Sequence, residues 1–259
     1  MQKDFLHLGI LGAMPEEVSS ILRQLKNVRK NTFGDFECFT GEWINKSKLN
    51  NKVFISLGWS GWGKVSAARA AMRLITLDID NYPKVESIIF CGVAGAASSL
   101  LNQWDILIPY ELIQHDMDAT PIYAEHIIPA LNESRLKADF ELVKWSTEII
   151  KKAKKEAIIN EFGKVYNELV ATGDTFISDK EKIREIQIKI PELYAVEMEG
   201  AAVAQVANQE NIPCLIIRII SDKADGSAQE NFEDFLKIYQ DSSWKLIEIL
   251  ISDCKNWPL

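Results

Sequence analysis

Two short stretches of this chain put carboxylates where apolar runs end. Ala195-Val-Glu-Met-Glu-Gly-Ala-Ala202 is the first, and Arg218-Ile-Ile-Ser-Asp222 follows one helix later. Ionised carboxylates are rarely left in apolar surroundings unless something pairs with them or uses them. Acids delivered to the ends of neighbouring strands describe a site that handles hydroxyls and protons. A further pair, Glu16 and Glu17, comes directly after the apolar run at 6–11 and Gly12-Ala-Met-Pro15.

The elements that must hold these groups alternate in kind. Apolar runs at 6–11, 53–57, 87–91, 169–172 and 214–220 read as buried strands. Helix-period segments read at 65–77, 201–211 and 232–250, and Pro15 with its two acids suits the first turn of another helix. Strands alternating with helices predict a largely parallel or mixed sheet with helices on both faces. Residues 31–57 carry aromatic and β-branched side chains without a helix between them, which predicts an antiparallel hairpin. No repeat, low-complexity tract or linker interrupts the 259 residues, so one domain spanning 1–259 is expected.

In an open α/β sheet, ligands bind beyond the carboxyl ends of the strands. Five segments converge on such an edge: Gly12–Glu17, Ser60-Gly-Trp-Gly63, Gly92-Val-Ala-Gly95, Met198-Glu199 and Ser221-Asp222. Together they offer small residues for close backbone approach, apolar surface and at least three carboxylates.

Bulk properties narrow the function. A net charge of −8 lacks the basic footprint that a polyanion needs, so no nucleic-acid partner is expected. The dense basic run Lys151-Lys-Ala-Lys-Lys155 reads as the solvated face of an amphipathic helix. Four scattered cysteines without a C-x-x-C pair fit reduced thiols. No segment approaches a membrane span or a signal peptide, so no membrane association and a cytoplasmic location are expected; an exported, trimmed form is the alternative.

Several motifs fail on inspection. Gly58-Trp-Ser-Gly-Trp-Gly-Lys64 fits the first part of a P-loop, but Val65 stands where a magnesium-binding Ser or Thr is required. A glycine turn leading into a helix is the plainer reading. Gly58-Trp-Ser60 begins a nucleophile elbow that Trp62 spoils, and Gly92-Val-Ala-Gly95 lacks the dinucleotide order. His7, His115 and His126 show no zinc-ligand spacing, and His115-Asp-Met-Asp118 reads as a polar loop. No cofactor and no metal is called for.

Seven motifs in order carry a resemblance: Gly9-Ile-Leu-Gly-Ala-Met-Pro-Glu-Glu-Val18, Ser60-Gly-Trp-Gly-Lys-Val65, Gly92-Val-Ala-Gly95, His115-Asp-Met-Asp-Ala-Thr120, Gly173-Asp-Thr-Phe-Ile177, Val196-Glu-Met-Glu199 and Ile219-Ile-Ser-Asp222. Over residues 8–235 the chain resembles the 5′-methylthioadenosine/S-adenosylhomocysteine nucleosidases of the nucleoside phosphorylase superfamily. The resemblance implies a three-layer α/β/α fold around a mixed sheet, a homodimer, and hydrolysis of the N-glycosidic bond of thioether adenine nucleosides, with 5′-deoxyadenosine as a further substrate.

Such a cleavage builds positive charge on the sugar and negative charge on the base, and so needs one group for water and one for the leaving group. By resemblance, Glu17 activates water, Asp222 protonates adenine at nitrogen 7, and Glu199 binds the ribose hydroxyls. A carboxyl that donates a proton must hold it until the base departs, which desolvation at a strand end favours. The resemblance places Met14, Trp62, Val93, Gly95, Phe176, Ile177, Met198, Ser221 and Phe232 around the substrate, with Met198 against ribose and Phe176 and Ile177 against adenine.

Each residue has a plainer alternative. Glu17 can be a first-turn helix acid, Asp222 a turn residue with Ser221, Glu199 a helix cap, and Met198 and Phe176 core. The chain also departs from the family. Trp62 stands where a smaller aliphatic residue is usual beside the 5′ substituent, Val93 replaces a serine found in some members, and 121–132 matches poorly. The nearest rival is a purine or uridine nucleoside phosphorylase. Phosphorolysis wants arginines for phosphate, and Gly12–Glu17 offers a carboxylate instead. A non-catalytic nucleoside-binding or surface-interaction protein on the same scaffold is the rival from another class.

Overall fold

The computed structural model describes residues 5–43, 52–80, 82–222 and 228–258, and the side chains of all of these except 228–233 and 255. The elements are β1 (Phe5–Gly12), α1 (Pro15–Leu22), β2 (Leu25–Phe33), β3 (Phe36–Trp43), β4 (Lys52–Trp59), α2 (Lys64–Ile75), β5 (Ser87–Ala96), β6 (Ile106–Leu107), β7 (Glu111–Gln114) and β8 (Arg135–Lys137). They continue with α3 (Phe140–Lys155), β9 (Val165–Tyr166), β10 (Leu169–Thr172), α4 (Lys180–Lys189), β11 (Leu193–Glu197), α5 (Gly200–Glu210), β12 (Cys214–Asp222) and α6 (Ala228–Ser252).

The strands form one mixed sheet in the order β2-β3-β4-β1-β5-β11-β10-β7-β8, with β12 beside β5 and leading to β6 and β9. One helical group packs α1 and α3 onto α6, and another packs α2 onto α5, giving the three-layer arrangement expected from the sequence. Central strands buried on both faces read as near-continuous apolar runs. In β12 every residue from Cys214 to Asp222 is buried. The expected hairpin is present as β2 and β3, which are antiparallel, with β4 antiparallel to β3.

Boundaries moved in instructive ways. Strand β5 runs on to Ala96 rather than stopping at Cys91, and Gly92 within it leaves room for Arg218 and Glu17 to come close. Helix α5 ends at Glu210, with Asn211 forming a left-handed cap at φ 54°. Lys64 opens α2 after Gly63 at φ 90°, so the glycine turn read at 58–64 is what this segment forms. Among the described residues no helix is long and apolar enough to cross a membrane.

The feature that makes a site is a fork at β5. On one side β12 runs parallel to it from Ile88 to Gly95. On the other, β1 pairs only with Ser87 through Phe90, and β11 takes over antiparallel at Gly95 and Ala96. Residues 91–94 therefore have no strand partner on that side, and their backbone groups face the opening between β1 and β11. A register shift between Ile220 and Asp222 ends β12 in a bulge there, a device that re-aims side chains beside functional sites.

Candidate active site

A cavity occupies the fork, lined by Ala13, Met14, Glu17, Trp62, Val93, Ala94, Gly95, Thr175, Phe176, Ile177, Val196, Glu197, Met198, Glu199, Ser221 and Asp222. Every site residue read from the sequence is on its wall except Phe232, whose side chain lies outside the described residues. The convergence comes from chain topology: these residues arrive on β5, β11 and β12, the first turn of α1, and the loops before α2 and after β10.

Glu17 is the third residue of α1 and is 2% exposed. Its Oε2 accepts the Ala13 and Met14 N–H groups at 2.5 and 2.9 Å, satisfying amides that a helix N-terminus leaves over. Its Oε1 accepts the Val93 N–H at 3.0 Å, one of the groups the fork leaves without a strand partner. The first-turn role and the pocket position thus coexist in one side chain. Burial pushes the Glu17 carboxyl up, while Arg218 and the three N–H donors pull the other way.

Arg218, behind the cavity wall, and Glu197, in that wall, form a charged centre. Arg218 is 1% exposed; its Nε and Nη2 donate to Glu197 Oε2 at 3.1 and 2.5 Å. Its guanidinium also lies 4.1 Å from the centre of the Phe90 ring. Glu197 Oε2 further accepts the Glu199 and Gly200 N–H groups at 3.0 and 2.7 Å, at the start of α5, and Oε1 accepts from the Thr172 hydroxyl. Burial works against the arginine charge, and Glu197, Glu17 and Glu199 more than offset it. Gly92, opposite Arg218 in the ladder, lets this happen: a Cβ there would sit 2.5 Å from both Arg218 Nη1 and Glu17 Oε1.

Glu199 is in the N-cap position of α5 but does not cap it. Its Oε1 instead accepts the Gly63 N–H at 2.8 Å, across the cavity mouth. Burial first, and then the Glu197 charge, push its carboxyl up to about 8 against the pull of Arg218. Asp222 is 9% exposed, and its Oδ2 accepts from the Ser221 hydroxyl at 2.6 Å. At the mouth, the Trp62 and Phe176 rings lie nearly parallel, 6.3 Å apart at 16°.

Glu197 and Arg218 were given no role in the sequence reading. A signal existed for both. Arg218 is the only charged residue in the apolar run 214–220, and Glu197 is a second acid beside Glu199 where the apolar run 195–196 ends. A lone arginine in a buried strand requires a carboxylate partner.

The chain matches the family model of the phosphorylase superfamily over residues 7–252. It is 34% identical over 252 residues to a 5′-methylthioadenosine/S-adenosylhomocysteine nucleosidase of Geobacillus sp. (strain WCH70), covering 97% of this chain and 100% of the relative. Among solved structures it resembles the nucleosidase of that name from Neisseria meningitidis in complex with methylthio-immucillin-A, at TM-score 0.81 and 30% identity over 95% of this chain and 99% of that one. It also resembles futalosine hydrolase of Helicobacter pylori strain 26695, at TM-score 0.79 and 27% identity over 96% of this chain and 98% of that one. With nearly the whole length matched on both sides, the chain belongs to the 5′-methylthioadenosine/S-adenosylhomocysteine nucleosidase family of the phosphorylase superfamily.

Proposed function

We propose that this protein hydrolyses the N-glycosidic bond of 5′-methylthioadenosine and S-adenosylhomocysteine, with 5′-deoxyadenosine as a further substrate. Glu17 takes a proton from water as its oxygen attacks the anomeric carbon. The bond from that carbon to the base breaks with its electron pair leaving on adenine, and Asp222 delivers a proton to nitrogen 7. One water is consumed, and adenine and the thioribose product leave. A base with a raised pKa accepts a proton more readily, which suits Glu17 to its step. Glu199 hydrogen-bonds the ribose hydroxyls, and Met198 and Phe176 pack on sugar and base. Val93, Gly95, Ile177 and Ser221 complete the wall.

The observation that carries this reading is the charge of the cavity. Its described lining holds Glu17, Glu197, Glu199 and Asp222 but no lysine or arginine, and Arg218 behind it is engaged by Glu197. Among the described lining residues phosphate meets no cation and a carboxylate repels it, whereas water is neutral. We further propose one domain over 1–259, a cytoplasmic location, no cofactor, and a homodimer.

The test is adenine release from methylthioadenosine and S-adenosylhomocysteine, with futalosine beside them, in phosphate-free buffer and then with phosphate added. Release at a rate indifferent to phosphate is expected, and its loss in Glu17→Gln and Asp222→Asn with folding intact. A rate proportional to phosphate makes the protein a phosphorylase; near-normal turnover in either variant removes the mechanism.

A further inference from the structure

One charge cluster, built on a largely covered lysine, lies outside the carboxylate site and touches the two loops that frame its mouth. Lys64 is the first residue of α2, and only 17% of its side chain is exposed. Its Nζ donates to Asp116 Oδ1 at 2.6 Å and to Gln114 Oε1 at 3.4 Å, and lies 3.9 Å from Asp174 Oδ2. Its backbone N–H donates to Asp174 Oδ1 at 2.8 Å. Asp116 closes the circuit by accepting the Asp174 N–H on Oδ2 at 2.9 Å. Burial works against the Asp116 carboxylate, and Lys64 with the Asp174 N–H more than offsets it, holding its pKa below the usual range.

The spacing of this cluster gives it a consequence at the pocket. Trp62 stands two residues before Lys64, and Phe176 two residues after Asp174, so the charge bridge and the ring pair are successive rungs between the same two loops. The turn that carries Trp62 is flanked by Gly61 and Gly63 at φ 80° and 90°, and a Cβ on Gly63 would come within 3.0 Å of Asp174 Oδ1. Gly63 also supplies the N–H held by Glu199. Glu17 and Asp222, by contrast, are anchored on α1, β5 and β12, away from the bridge.

We propose that Lys64 is a positioning residue: by bridging Asp116 and Asp174 it fixes the spacing of the Trp62 and Phe176 walls and the aim of the Gly63 amide at Glu199, and so sets how tightly substrate is held. An exposed ion pair does little for stability. Here the lysine is largely withdrawn from water, and it ties the turn before α2 to the ends of β7 and β10, which pair with each other up to Gln114 and Thr172 but not with that turn.

The test compares wild type, Lys64→Met, Lys64→Arg, Asp116→Asn and the Lys64→Met/Asp116→Asn double variant. Steady-state cleavage of methylthioadenosine, which rests on the function proposed above, should show KM raised roughly tenfold by Lys64→Met, a size fitting a charge-assisted pair, with kcat within about a factor of two. Lys64→Arg should regain most of the loss, and the double variant should be no worse than Lys64→Met. A second measurement stands apart from turnover. The difference spectrum between each protein and its Trp62→Phe counterpart isolates Trp62 among the seven tryptophans, and Lys64→Met should shift its emission to the red. An unchanged Trp62 spectrum overturns the proposal whatever the enzymology. So does a wild-type KM in Lys64→Met, or a parallel fall of kcat with melting temperature that Lys64→Arg does not reverse. A wild type that releases no adenine while its Trp62 emission still answers to Lys64 refutes the function and leaves the bridge standing.

Discussion

Replacing Glu199 by glutamine should make the protein more stable, and the gain should grow with pH. Glu199 is 6% exposed, and its carboxyl is pushed from an ordinary 4.5 up to about 8, chiefly by burial and next by Glu197. Below pH 4.5 the group is protonated folded and unfolded, and contributes nothing to the difference. Between 4.5 and 8 the unfolded chain releases the proton and the folded chain keeps it, so stability falls by about 1.4 kcal/mol per unit of pH. Above 8 the penalty is constant at roughly 5 kcal/mol, most of it already reached at pH 7. Glutamine cannot ionise, and its amide oxygen can keep the Gly63 N–H bond. Denaturant unfolding of both proteins from pH 5 to 9 measures the difference directly, since groups common to both cancel. Coincident curves, or a gap that does not widen with pH, would refute the reasoning. Substrate affinity should fall in the same variant.

Two further substitutions test the packing around the cavity. Gly92→Ala puts a Cβ 2.5 Å from Arg218 Nη1 and Glu17 Oε1, both buried and fixed by hydrogen bonds, so Glu17 must move. We expect kcat to fall roughly a hundredfold, the scale for displacing a reacting group by about an ångström; unchanged kinetics would show that Glu17 has freedom the hydrogen bonds deny it. Trp62→Ile, at a position 54% exposed, should leave melting nearly unchanged while raising kcat/KM for S-adenosylhomocysteine relative to methylthioadenosine by about fivefold or more. An unaltered ratio of the two rates would remove Trp62 from specificity.

The sequence was most legible where one periodicity dominated. Strand β10 has the limits read for it, 169–172, and β1, β4, β5 and β12 contain the runs read at 6–11, 53–57, 87–91 and 214–220. It was least legible in short or weakly patterned elements. Strands β6 and β9 are two residues long, and α4 buries only Ile183, so neither carries a pattern of its own. The order of strands was not readable at all. That β1 leaves β5 at Phe90 and β11 arrives at Gly95 is a long-range fact, and it decides that Val93 needs Glu17 as a partner. The acids were visible as acids at strand ends. That Glu199 reaches Gly63 instead of capping α5 could come only from the packed chain.

The same charges that make the folded protein pH-sensitive suit it to one kind of transition state. Burial and the Glu197 charge both oppose ionisation of Glu199, so an extra negative charge in this cavity is unfavourable. A phosphate dianion would add to that repulsion at the moment of binding. A neutral water adds nothing. In the proposed reaction positive charge grows on the ribose as the bond to adenine breaks, and a cation there favours the ionised forms of Glu199 and Glu17 that burial opposes. That interaction is stronger in the transition state than with the neutral ground-state sugar, which is the condition for it to raise kcat instead of merely tightening binding. Arg218 fits the same account: held by Glu197 behind the wall, it keeps the acids from destabilising the fold without offering the cavity a cation that would compete with the sugar.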